Sequence, residues 1–176
     1  MTEERAEAIL DAVAGVENQG PPDVLMALVH STAALAQVEA TLAAHAETRD
    51  NRSPEAAVRA TGAAGLAGLS LYLALAATQR HVDATSDPSA PFEEAELGPL
   101  IEVTRHVRDA VVHWEEKLGR DPKTFLAFSD EDLVVLAPGG QSGPTKVVAI
   151  AWERVTDAAR RCRDWATAQV EPPAFD

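Results

Sequence analysis

The stretch Ala60-Thr61-Gly62-Ala63-Ala64-Gly65-Leu66-Ala67-Gly68-Leu69-Ser70-Leu71-Tyr72-Leu73-Ala74-Leu75-Ala76-Ala77-Thr78-Gln79 contains no charged side chain, and its reading decides the class of fold. About 20 mainly apolar residues suffice to cross a bilayer, so the stretch first raises the question of a membrane span. Its strongest apolar content is five leucines, diluted by Gly62, Gly65, Gly68, Thr61, Ser70 and Thr78. Leucine favours insertion by only about 0.3–0.6 kcal/mol each. The stretch therefore reads as the central buried helix of a bundle, with glycines that let neighbouring helices come close. Just upstream, Ser53-Pro54-Glu55 is a helix start. The serine can cap, the proline fits the first turn, and the glutamate complements the positive end of the helix dipole.

Towards the N-terminus, Asp23 to about Ala46 predicts a second long helix, with Leu25, Leu28, Val29, Leu35, Val38 and Leu42 on its apolar side. His30 lies inside it and His45 near its end. Before it, Glu3 to Val16 carries Ile9, Leu10, Val13 and Val16 at the spacing of one helical face. Gly15, Gly20, Pro21 and Pro22 then end that helix.

Towards the C-terminus, Asp83 to Pro91 is rich in Asp, Ser, Thr, Ala and Pro and reads as a loop. From Phe92 to Leu118, Leu97, Ile101, Val107, Val111, Trp114 and Leu118 step mostly by three, four or seven, which predicts an amphipathic helix closed by Gly119 and Pro122. The pattern then changes to short β-branched runs, Leu133–Leu136 and Val147–Ile150, separated by Pro138-Gly139-Gly140-Gln141-Ser142-Gly143-Pro144. These predict a β-hairpin over about 124–150, with Thr124 to Phe128 as a candidate third strand. A last helix from about Trp152 to Val170 places Val155, Ala159, Cys162 and Ala166 on one face beside Trp165, and 171–176 reads as a loose tail. The expected fold is a single mainly α domain over 1–176: an up-and-down bundle of about five helices, with a small β-hairpin inserted before the last.

Composition narrows the function classes. Hydrophobic residues make up 46%, much of it alanine, and aromatics only 5%. Alanine favours helix and adds little volume, so the core is expected to consist of closely packed helices, anchored by Trp114, Trp152 and Trp165. A formal charge of −13 argues against generic binding to nucleic acid or anionic membrane. Any nucleic-acid site must be local, built around Arg105 and Arg108 or around Arg154, Arg160, Arg161 and Arg163. The single cysteine, Cys162, excludes an internal disulfide, and Met1 is followed by acidic helix formers and not by a secretory signal. A cytoplasmic protein, outside the membrane, is the expectation.

The chemistry-bearing segment is Arg108-Asp109-Ala110-Val111-Val112-His113. At 100° per residue Asp109 and His113 share a helix face, His106 joins their stripe, and Arg108 stands to the side of it. Histidine moves protons near neutral pH, a carboxylate can hold its ring, and arginine can grip a phosphate through two parallel hydrogen bonds. Such a set suits metal-independent cleavage of RNA, in which a ribose 2′-hydroxyl attacks the adjacent phosphate. The competing reading is a solvated, ion-paired helix surface.

The segment resembles the motif of the HEPN superfamily (higher eukaryotes and prokaryotes nucleotide-binding domains): an Arg, a polar residue, and a His four to six residues after the Arg. Trp114 and Glu115 follow His113, where members with this spacing often carry a tyrosine. The resemblance implies a helical bundle, a homodimer with both motifs facing one cleft, and ribonuclease activity, as in toxin–antitoxin or phage-defence systems. It places Arg108 on phosphate, Asp109 as polar support and His113 as the acid/base or phosphate-contacting group, with Arg105 and His106 as neighbouring substrate contacts. An antitoxin or nucleotidyltransferase would be the protein partner, and neither cofactor nor metal is expected. The alternative is a non-catalytic helical dimer acting as an interaction or regulatory module, which the acidic charge favours.

Weaker patterns complete the reading. His106, Asp109 and His113, with Glu102 nearby and His30 or His45 folded towards them, could form a metal face, but no His-Glu-x-x-His or paired Glu-x-x-His motif supports it. Gly139 to Lys146 superficially resembles a phosphate loop but lacks the Gly-Lys-Ser/Thr ending, so a hairpin turn is the reading. Cys162 reads as a buried structural thiol.

Overall fold

The computed structural model describes residues 20–86, 88–112, 125–139 and 143–170. Among these the chain is mainly helical, with four helices rather than five and a small antiparallel sheet before the last one. The expected helix over Glu3–Val16, Trp114, the Gly119–Pro122 stop and the tail at 171–176 lie outside the described residues.

Helix α1 (Pro22–Asn51) opens with proline in its first turn and Asp23 at its positive end. Its core side carries Val24, Ala27, Ser31, Ala34, Val38, Thr41 and Ala44, a spacing of three and four. The buried hydroxyls of Ser31 and Thr41 donate to Leu28 O (3.0 Å) and Gln37 O (2.7 Å), so their polarity is satisfied inside the helix. The helix runs past the expected end at Ala46, because Thr48 bonds back to Ala44 O and the polar turn continues to Asn51.

Arg52, left-handed at φ 52°, donates its N–H to Thr48 O, and Ser53 then starts α2 (Pro54–Thr85) by accepting the Ala56 N–H at 3.1 Å. Two residues thus join two long helices. Helix α2 is the centre of the fold: it packs against α1, against α3 (Glu94–Val112 among the described residues) and against α4 (Trp152–Gln169). Ala64, Ala67, Leu71, Ala74, Leu75 and Ala77 are sealed from solvent. The helix also passes the expected loop boundary at Asp83. Gln79 donates to Asp83 and Thr85 to His81 O, so polar side chains four apart carry it to Ser86, another left-handed cap at φ 55°.

Both α1 and α2 are long and apolar enough to cross a membrane by length and composition; a third of the most apolar window of α1 and half of that of α2 is buried within the protein.

The sheet is a meander, β1 (Phe125–Phe128), β2 (Asp132–Gly139) and β3 (Gly143–Ala151), all antiparallel. Leu133 pairs with Ile150 and Val135 with Val148. Alternation sends Leu133, Val135 and Ile150 into the helices and leaves Val147 exposed. Gly139 ends β2 opposite Gly143, the first residue of β3, and Lys146 pairs with Ala137; residues 140–142, where the turn is expected, lie outside the described residues. β3 runs directly into α4, where Trp152 is buried and its Nε1 donates to Ser129 O at 2.9 Å. Val155, Ala159, Cys162, Trp165 and Ala166 form the buried side of α4.

Candidate functional site

Helix α3 is positioned by small residues on α2. Val107 seats over Gly68, and Val111 lies against Gly65 together with Leu126 of β1. With Val107 fixed inward, residues 106 and 108 each lie 100° from it, on opposite flanks of the helix. The chain therefore separates Arg108 from His106 by 160° around the axis. Arg108 takes the flank that meets α2. Arg105 is exposed and His106 half-buried.

On that flank Arg108 meets its neighbour and one aromatic ring. Its Nε donates to Asp109 Oδ1 at 2.9 Å, and its Nη2 donates to the same oxygen. Nη1 reaches the Tyr72 hydroxyl at 3.4 Å, and Cζ lies 5.2 Å from the centre of the Tyr72 ring. The hydrogen bond to Asp109 raises the guanidinium pKa above its ordinary value, so Arg108 stays fully cationic. Both side chains of the pair remain over a third exposed, at 36% and 37%. An exposed pair of this kind contributes at most about 1 kcal/mol to stability. Its effect is orientation: the carboxylate and the ring hold the guanidinium fork against the α2–α3 seam, within reach of solvent.

The structure thus brings Arg108 and Asp109 together with Tyr72, a residue that the sequence motif did not single out. Tyr72 lies 36 positions upstream. The one signal for it is a lone phenol inside an otherwise aliphatic run. His113 lies outside the described residues. Two and three residues beyond Arg108, Ala110 and Val111 form a wall of an apolar groove of about 570 Å³, whose other wall is Ala57, Val58, Thr61, Gly62 and Gly65 of α2.

The remaining candidates resolve differently. His45 Nε2 lies 3.4 Å from Asp130 and its ring packs edge-on against Phe128, which ties α1 to the β1–β2 turn. His30 is half-buried, and its burial lowers its pKa. Among the described residues no group of three or more His, Cys, Asp and Glu side chains converges as a metal site would require. Asp130, Glu131, Asp132, Glu153 and Asp157 surround a second cleft of about 650 Å³ beside Trp152, with Arg160 the cation there. Of the later arginines, Arg161 is committed to structure. It stacks 4.3 Å over Phe92, donates to Pro91 O at 3.0 Å through Nε and pairs with Glu96 at 2.9 Å. Cys162 is fully buried beside Thr78, and burial pushes its thiol up to about 11.

No family model, curated protein or solved structure matches the chain.

Proposed function

We propose that this protein is a metal-independent ribonuclease of the HEPN type, acting in the cytoplasm as a homodimer, in the toxin role of a toxin–antitoxin or phage-defence pair. The observation that carries the reading is the pre-oriented guanidinium of Arg108, held at the surface by Asp109 and Tyr72 and open to solvent. A fork fixed in this way can take two oxygens of a phosphodiester and stabilise the charge that grows on them. In the proposed reaction the ribose 2′-oxygen bonds to phosphorus and its proton passes to a base, His113. The bond to the 5′-oxygen of the next nucleotide breaks, that oxygen takes up a proton, and a 2′,3′-cyclic phosphate remains. A second copy would supply a matching Arg108 and His113 across the cleft. Arg105, exposed on the same helix, would offer a further cation to the RNA backbone.

Purified protein should cleave RNA in the presence of a chelator, leaving cyclic phosphate and 5′-hydroxyl ends. Arg108→Ala and His113→Ala should each abolish cleavage. Undiminished cleavage by both variants sinks the proposal.

Two observations favour a second reading. Two of the N–H groups of Arg108 are already engaged by Asp109, and the chain is strongly acidic. A non-catalytic helical module that docks a protein partner would tolerate both facts. Absence of RNA cleavage by the wild type, with a stable complex formed on the α2–α3 side, would favour that module.

A further inference from the structure

Helices α1 and α2 share one side that bears charge only at its two ends. The Asp23–Arg80 ion pair (3.0 Å) closes one end of the two-helix hairpin and the Glu47–Arg59 pair (2.6 Å) the other. Between Arg59 and Arg80, α2 has no charged residue. Between Asp23 and Glu47, α1 has only Glu39, which stands 120° around the axis from Ala33 and off this side. The side is lined by Met26, Val29 and Ala33 of α1 and by Leu66, Leu69 and Leu73 of α2. Met26, Val29 and Leu66 are 42%, 60% and 46% exposed, and Leu69 and Leu73 are partly exposed. The three leucines step by three and four, the spacing of a seam between packed helices. We propose that a second copy of this chain covers this side, across a two-fold axis that passes by Leu69 and runs perpendicular to both helices.

Three observations select this occupant. The first is area. The span from Asp23 to Glu47 is roughly 36 Å long and two neighbouring helices are roughly 20 Å wide, so the side offers about 700 Å². A stable interface takes about 800 Å² from each partner, which is close to that. The second is charge. Copies of a chain at −13 repel one another over most of their surface. This side carries two acids and two bases, paired within the chain, and meets its copy without net charge. The third is symmetry. Leu69 lies midway between Arg59 and Arg80, so an antiparallel copy centred there sets Leu66 against Leu73 and Leu69 beside its own copy. Tyr72, three residues from that centre, then lies roughly 8 Å from its copy along the helix direction. Both Tyr72–Arg108 contacts thereby come onto one side of the dimer. The use of that shared cleft for RNA rests on the ribonuclease reading; the dimer itself does not.

The test measures the mass of the full chain by light scattering at about 10–100 μM, together with Leu66→Glu, Met26→Glu and Val147→Glu. The wild type should have the mass of two chains. Leu66→Glu and Met26→Glu should have the mass of one, with helical circular dichroism retained, and Val147→Glu, on the exposed side of β3, should stay paired. Oxidised Leu69→Cys should form a disulfide between two chains, and this cross-link with the wild-type mass decides the matter if either glutamate variant unfolds. A wild type of single-chain mass at 100 μM overturns the proposal. So does a dimer that survives both Leu66→Glu and Met26→Glu, or a Leu69→Cys variant that stays uncrosslinked. A single-chain wild type that binds phosphatidylcholine vesicles would assign the side to lipid and overturn it too. A dimer of the expected kind that leaves RNA intact supports this inference and counts against the ribonuclease reading alone.

Discussion

Val107 of α3 occupies the space that a side chain on Gly68 of α2 would need. A Cβ at Gly68 would collide with the Val107 Cγ1 methyl and come within 3.0 Å of Leu133 Cδ2. Gly62, one and a half turns earlier on the same helix, faces open space. The two glycines predict opposite outcomes for one substitution. Gly62→Ala should stabilise by about 1 kcal/mol, because alanine is the better helix former. Gly68→Ala should instead destabilise by about 1–3 kcal/mol, since overpacking outweighs propensity there. Chemical denaturation of both variants decides it, and Gly68→Ala with Val107→Ala should recover part of the loss.

The buried thiol makes a pH prediction. The Cys162 pKa lies near 11 in the folded protein against a reference of 9.0, because burial penalises the thiolate. A raised value means that the contribution is complete below pH 9 and is lost as pH climbs towards 11. Two units correspond to about 2–3 kcal/mol. The stability difference between wild type and Cys162→Ala should therefore shift against the wild type by an amount of that order between pH 8.5 and 11. A constant difference across that range would contradict the burial account.

Ser53 caps α2 through its hydroxyl. Ser53→Ala should cost about 1 kcal/mol, or roughly 2–4 °C in melting temperature for a chain of this size. Calorimetry checks it. Ser53→Asp should be close to neutral, because aspartate caps equally well.

Within the ribonuclease reading, Arg108→Lys keeps the charge but loses the fork that Asp109 and Tyr72 orient. Cleavage in chelator should fall roughly 100- to 1000-fold, the usual effect of removing one donor to a developing anion. Tyr72→Phe retains the ring and loses only the 3.4 Å hydroxyl contact, so its loss should stay within about tenfold. Equal losses for the two variants would contradict this division of roles.

Much of the helical architecture is legible in the sequence because periodicity and caps act locally. Ser53-Pro54 marks a helix start, and Leu133–Leu136 with Val147–Ile150 marks a hairpin, without any tertiary information. The boundaries expected at Ala46 and Asp83 fall short for a physical reason. Threonine and aspartate, which suggest loops by composition, bond back four residues here and extend the helices instead. At the site, the Arg108–Asp109 pair is legible because its members are adjacent. Tyr72 is not, because only the Gly68–Val107 packing that draws α3 onto α2 brings it beside Arg108. The opposite placement of His106 follows from the same inward anchor, which a linear motif does not specify.

The chain holds a single tyrosine, and it is the one that lies beneath the Arg108 guanidinium. The protein therefore carries its own reporter. One phenol resonance, free of overlap from any other tyrosine, would register each event at that arginine, whether an incoming phosphate, a docked partner or a change in its carboxylate companion.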